Sequence, residues 1–349
     1  MGPGSGDAGF GRRVLSVWVA GCLAVVGCSG PAGGGTGPAL ANVPVHPVTS
    51  STVSLPLDSY RLTFQQQIVV DRAFTWLAGG CLKSYGLPGP TGLIGRVIPP
   101  EQADLSLVNV LSLRSAEKYG YNPPLTAQLN EVRKLESGGI APGSGGVLMG
   151  TATTYGGKPV PPGGCMGKAA AELVGKVGPA FPLVRPPLPS NLPPKARSRL
   201  ARLLGLGSAA AVAYRNLTSQ GGLVGRLVLA SDFQMQANPK LVAARARWHV
   251  CMLKAGFDYN APEAARSDHR WALGPSSATP ADRALEVRVA SADAGCEAKV
   301  DYAGLEVALL TGYQDQLINT HVTALEAFKQ AEQRLLANAT AVLAGRKTT

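Results

Sequence analysis

Residues 302–344 form a 43-residue run with few helix breakers before Gly345. A straight helix of that length would reach about 64 Å at ~1.5 Å per residue. Leu310, Tyr313, Leu317, Ala324, Phe328, Ala331, Leu335 and Val342 recur at steps of three, four or seven, marking one apolar stripe among Gln, Asn, Glu and Lys. A single stripe on so long a helix predicts packing on a parent domain rather than a projecting coiled coil. A chain committed to such an element is expected to be mainly α.

The rest of the chain fits that class. Thr63 and Gln66 form a capping-box pattern. Behind them Phe64, Ile68, Ala73, Trp76 and Leu77 follow a helical period until Gly86 and Pro88 stop it. A shorter helix is expected near residues 100–119, with Glu101 and Asp104 in its first turn, where the helix dipole favours acids. In the Gly-rich region 138–164, residues 147–154 and 158–160 flank Gly156-Gly157, a hairpin signal. Cys165 opens a short Ala-rich helix reaching Val174. Asn238 with Pro239, and Thr279 with Pro280 and Asp282, mark two further helix starts.

Ahead of these elements stands an address. Arg12 and Arg13 precede an apolar stretch of 14 residues, 14–27, and then comes Cys28. That stretch is shorter than the about 20 residues that span a bilayer, so it reads as a removable export signal. Arg12-Arg13 also weakly resembles a twin-arginine signal. Val25-Val26-Gly27-Cys28 resembles the bacterial lipobox. The resemblance implies cleavage before Cys28 and a diacylglyceryl thioether on its sulfur, and two acyl chains anchor stably where one would not. Gly, Pro, Ala, Ser and Thr dominate residues 29–50, which suits a flexible tether. The chain thus divides into a signal (1–27), a tether (28–54) and a first half (55–180) with helices and the hairpin region. A Pro-rich connector (181–194) and a helical second half (195–349) complete it.

Cysteine usage points the same way. Cys22 lies in the signal and Cys28 takes the lipid, leaving Cys81, Cys165, Cys251 and Cys296. An even number in an exported chain predicts two disulfides. Their wide spacing, without a Cys-x-x-Cys pair, gives no support for zinc. Four cysteines allow three connectivities. Cys81 with Cys165 and Cys251 with Cys296 is the expectation, because each pair then lies within one half.

Residues 76–87 and 248–257 are alike. Each carries a Trp, then a Cys, with a Gly five residues after the Cys as a helix stop, the mark of a degenerate duplication or of coincidence. Segments across most of the mature chain resemble a lipoprotein group of high-GC actinomycetes. They are the lipobox at Cys28, residues 55–60 (Leu-Pro-Leu-Asp-Ser-Tyr), 81–86, Tyr119-Gly120-Tyr121, Gly163-Gly164-Cys165-Met166, 248–259, 293–296 and 313–328. The resemblance implies an exported, anchored protein and transfers no activity. Residues 181–202 match nothing in the group.

No catalytic pattern emerges. Gly-x-Ser-x-Gly and His-Glu-x-x-His are absent. His249 stands two residues from Cys251, about 200° away around a helix, so a Cys–His nucleophile is disfavoured. His321 reads as an ordinary helix-surface residue. Glu131, Glu136, Asp258 and Glu263 are the candidates for a dispersed carboxylate pair, all near expected helix ends or loops. Neither a metal site nor a cofactor motif is expected.

Charge carries the remaining information. The chain has 33 basic and 22 acidic residues. Without the signal, which takes Arg12, Arg13 and Asp7, 31 and 21 remain, a balance of +10. Outside the cell the acidic partners are lipid headgroups and wall polymers rather than nucleic acid. Lys195, Arg197, Arg199 and Arg202 are the candidate contacts. The expected protein is a mainly α, two-disulfide, lipid-anchored binding or scaffolding protein at the outer face of the cell membrane. A wall glycan hydrolase and a solute-binding lipoprotein are the alternatives.

Overall fold

Local cap chemistry sets most helix boundaries in the computed structural model. It describes residues 40, 44–45, 48, 53–89, 111–122, 144–175, 194–195, 198, 209–218, 222–272 and 278–345. The Thr63 hydroxyl accepts from the Gln66 amide and the Gln66 side chain accepts from the Thr63 amide, starting α1 (Phe64–Lys83). A one-turn 3-10 helix, Pro56–Tyr60, precedes it. Then come α2 (Leu113–Tyr119), α3 (Gly145–Met149), a two-stranded hairpin of β1 (Thr154–Tyr155) and β2 (Lys158–Pro159), and α4 (Gly164–Val174). The series ends with α5 (Ala209–Thr218), α6 (Leu223–Gln236), α7 (Pro239–Lys254), α8 (Pro262–Arg266), α9 (Pro280–Val300) and α10 (Tyr302–Leu343). The described residues are therefore mainly helical, with one small hairpin, a long C-terminal helix and two disulfides, as the sequence predicts.

Two details differ from expectation, the extent of the hairpin and the place of Trp76. Residues 147–149 do not extend the hairpin but end α3. The strands are two residues each, paired Thr154 to Pro159 and Tyr155 to Lys158 across Gly156 and Gly157 at φ of +54° and +75°. Of the 100–119 helix, only α2 falls among the described residues, and the Ser112 hydroxyl caps it at Ser115 N. Trp76 is not on the buried stripe but 62% exposed. Val70, Ala73, Ala78 and Cys81 define the buried side of α1, and at ~100° per residue Trp76 lies about 130° from the middle of that side.

The apolar stripe of α10 packs inward as expected, but on two cores rather than one. Tyr302, Leu305, Leu309, Leu310 and Tyr313 bury with Leu241 and Ala244 of α7. Leu325, Phe328, Leu335, Ala339 and Val342 bury with Val70 and Ala73 of α1, Leu173 of α4, and Val224 and Leu227 of α6. Residues from both halves thus share the second of these cores. Between them α10 is kinked at His321 (φ −120°, ψ 17°). There the Thr320 hydroxyl donates to Gln316 O, and His321 Nδ1 sits 2.9 Å from Leu317 O. Side-chain bonding to carbonyls one turn back is a known cause of bending. His321 is therefore a half-buried kink residue, not the ordinary surface residue expected from sequence.

A third small core gathers Ala78, Leu82, Leu87, Val147, Leu148 and Val160 around Cys81 and Cys165. Backbone meets backbone at one point. A Cβ on Gly164 (φ +65°) would lie 2.3 Å from Gly150 N and Val147 O, so α3 and α4 approach as closely as they do only with glycine there. None of the described helices is long and apolar enough to cross a membrane.

Candidate functional site

The four expected disulfide cysteines pair in sequence order, Cys81 with Cys165 and Cys251 with Cys296. The first ties the last turn of α1 to the start of α4, and the second ties the last turns of α7 and α9. Cys251 is thus engaged, and His249 Nδ1 lies 2.7 Å from Tyr259 O, so the two are not a nucleophile pair. Cys28 lies outside the described residues, as do Arg197, Arg199, Arg202, Glu131 and Glu136. Lys195 is exposed on a helical residue, and Asp258 and Glu263 are exposed.

The two similar segments share their helix stops. Leu87 N donates to Leu82 O and Gly86 N to Lys83 O. Phe257 N donates to Met252 O and Gly256 N to Leu253 O. Both glycines have positive φ, giving the same Schellman closure with an apolar contact across it. The tryptophans differ. Trp76 precedes its cysteine by five residues and is exposed, whereas Trp248 precedes its own by three and is fully buried. The likeness is confined to the stop.

The densest polar chemistry sits around α9, where Glu286, Asp293 and Glu297 fall on the face that buries Val289, Ala290 and Ala294. Asp293 accepts from Trp248 Nε1 at 2.8 Å and from the Tyr121 hydroxyl at 2.9 Å. Glu297 pairs with the Arg266 guanidinium, whose Nε lies 3.8 Å from Asp293 Oδ2. One oxygen of Glu286 accepts from Tyr121 N and Asn122 Nδ2, both at 2.9 Å, and the other from Arg283 at 2.5 Å. Gly120 (φ +60°) makes that wrap feasible, since a Cβ there would meet Glu286 Oε1 at 2.7 Å.

Burial raises the carboxyls of Asp293 and Glu297 above the ordinary range, with Arg266 pulling each back down. Glu306, on α10 nearby, is pushed up to about 8 by burial, against the pull of Arg266 and Arg245. Burial and the Asp293 charge beside it raise the Tyr121 hydroxyl as well. This arrangement clamps α2, α7, α8 and α9 together. Both oxygens of Asp293 and of Glu286 are taken by internal donors, which suits them to holding helices rather than to attacking or protonating a substrate.

Sequence reasoning missed this cluster because its partners lie far apart, 172 residues for Tyr121 and Asp293. The usable signal was acids at steps of seven and four on one helix face, where solvated charges would scatter. Among the described residues no group of His, Cys, Asp and Glu is placed to hold a metal ion. No protein-family model, curated protein or solved structure matches the chain.

Proposed function

We infer that this is an extracytoplasmic lipoprotein, anchored at the outer face of the cell membrane through Cys28, that binds or scaffolds at the membrane–wall interface without catalysis. The observation that carries it is the pairing of all four cysteines beyond the signal and lipobox into two bridges, which is the usage of an oxidising compartment. The engagement of the buried acids with internal donors supports binding over catalysis. Lys195, Arg197, Arg199 and Arg202 remain the candidate contacts for anionic wall polymer or headgroups.

The test is fractionation. Native protein stays with membranes through an alkaline carbonate wash, and Cys28→Ala moves to the soluble fraction. Equal retention of the two refutes lipid anchoring. A glycan hydrolase is the second reading, favoured by one observation, the raised carboxyl of Glu306 within the field of exposed Glu263. Release of soluble glycan from purified wall would bring it forward. A solute-binding lipoprotein needs two lobes of alternating strands and helices, and the helical fold speaks against it.

A further inference from the structure

α7 is apolar on two opposite sides. Its inner side is fully buried at Leu241, Ala244, Trp248 and Met252. On the outer side Val242, Val250 and Leu253 are 49%, 50% and 46% exposed, with exposed Ala246 between them. At ~100° per residue these positions form one stripe, and Lys240, Arg247 and Lys254 form a second, parallel row along its edge. All three basic residues are exposed. The helix, PKLVAARARWHVCMLK, contains no Asp or Glu. Exposed Lys299 of α9 reaches the same helix, with Nζ 4.0 Å from Cys251 Sγ. The nearest acid in sequence past the helix end is exposed Asp258.

A surface helix ordinarily turns charge toward water on the side away from the core. Here that side offers an apolar strip with a cationic border, the pattern of a helix lying in a bilayer interface. Charge selects the occupant. A border of one sign complements a continuous anionic surface, and basic residues near a membrane each add to the attraction toward anionic lipid. The strip is also preformed. The inner side of α7 is locked into the core and its last turn is bridged to α9, so contact carries little ordering cost.

We propose that the outer face of α7 docks on an anionic lipid bilayer, with Val242, Val250 and Leu253 entering the headgroup boundary and Lys240, Arg247 and Lys254 meeting phosphates. This deepens the anchored reading and rests on it for which membrane the face meets. The anchor places the domain beside a bilayer, and this face sets which side of the domain turns toward it.

The test uses the mature chain, from residue 28 onward and carrying Cys28→Ser, so that neither the export signal nor an acyl chain takes part, and sedimentation with vesicles. Vesicles of phosphatidylglycerol mixed with phosphatidylcholine bind the protein, and phosphatidylcholine vesicles do not. V242S/V250S/L253S and K240E/R247E/K254E each lower the partition by about tenfold or more. All six positions are exposed, so both variants keep their circular dichroism and bridges. Absence of partition, indifference to lipid charge, or undiminished partition of either variant would overturn the proposal. So would saturable capture of a protein through this face in place of lipid. Retention of the native protein through a carbonate wash reports on the Cys28 anchor alone, so the two readings fail separately.

Discussion

At the scale of single residues, Asp293 shows what a buried carboxylate needs. It is fully buried and raised by that burial, and three groups hold it, the Trp248 indole, the Tyr121 hydroxyl and the Arg266 guanidinium. Removing one donor leaves an oxygen without the hydrogen bond for which it was desolvated. Tyr121→Phe is therefore expected to cost about 1–3 kcal/mol, read as a lower urea midpoint with an unchanged slope. An unchanged midpoint would mean that Trp248 and Arg266 satisfy Asp293 without the Tyr121 hydroxyl. Residue-scale features were legible in the sequence where they act locally. The caps at Thr63, Asn238 and Thr279 are all as expected, because each bonds within three residues of itself. The partners of Asp293 were not, since tertiary packing alone brings Tyr121 to it.

At the scale of elements, α10 joins two cores with polar residues at the joint. Gln314 is fully buried there, and its Oε1 accepts from Leu57 N at 3.0 Å. The length and stripe of α10 were readable from spacing, but its kink was not. The bend comes from side chains bonding to backbone carbonyls, which leaves no Pro or Gly in the pattern. Glu332, in the second segment of α10, is buried on the same face as Leu325 and Phe328, and burial pushes its carboxyl up to about 7, against the pull of Leu62 N and Arg61. The folded state therefore binds this proton more tightly than the unfolded chain, whose ordinary value is about 4.3. Its stabilising contribution is complete below that value and is lost as pH rises to about 7. Glu306, up to about 8, acts in the same direction to slightly higher pH. The melting temperature is expected to fall from pH 5 to pH 8. Glu332→Gln should flatten that fall, gaining stability at pH 8 and little at pH 5, as calorimetry across the range would show. An equal effect at both pH values would mean that Glu332 stays ionised throughout.

At the scale of the whole molecule, the two bridges act on different parts of one fold. Cys81–Cys165 spans 84 residues and Cys251–Cys296 spans 45. Loop-closure entropy assigns each about 4–5 kcal/mol, and the longer loop only about half a kcal/mol more. Their surroundings separate them further. Cys251 and Cys296 join helices that Trp248, Trp271 and the Asp293 cluster already hold together. Cys81 and Cys165 sit in a separate core, beside glycine-dependent turns and a hairpin of two-residue strands. Two-residue strands and turns that depend on glycine offer little to oppose local opening once the covalent tie is gone. Cys81→Ala/Cys165→Ala is thus expected to admit protease near residues 150–160 while the α10 cores stay protected. Cys251→Ala/Cys296→Ala should lower global stability by about 2–5 kcal/mol without a new local cleavage site. Limited proteolysis beside denaturant titration reads both outcomes. Cleavage at the same places in both variants would show that the chain opens as one cooperative unit, with no independently stapled part.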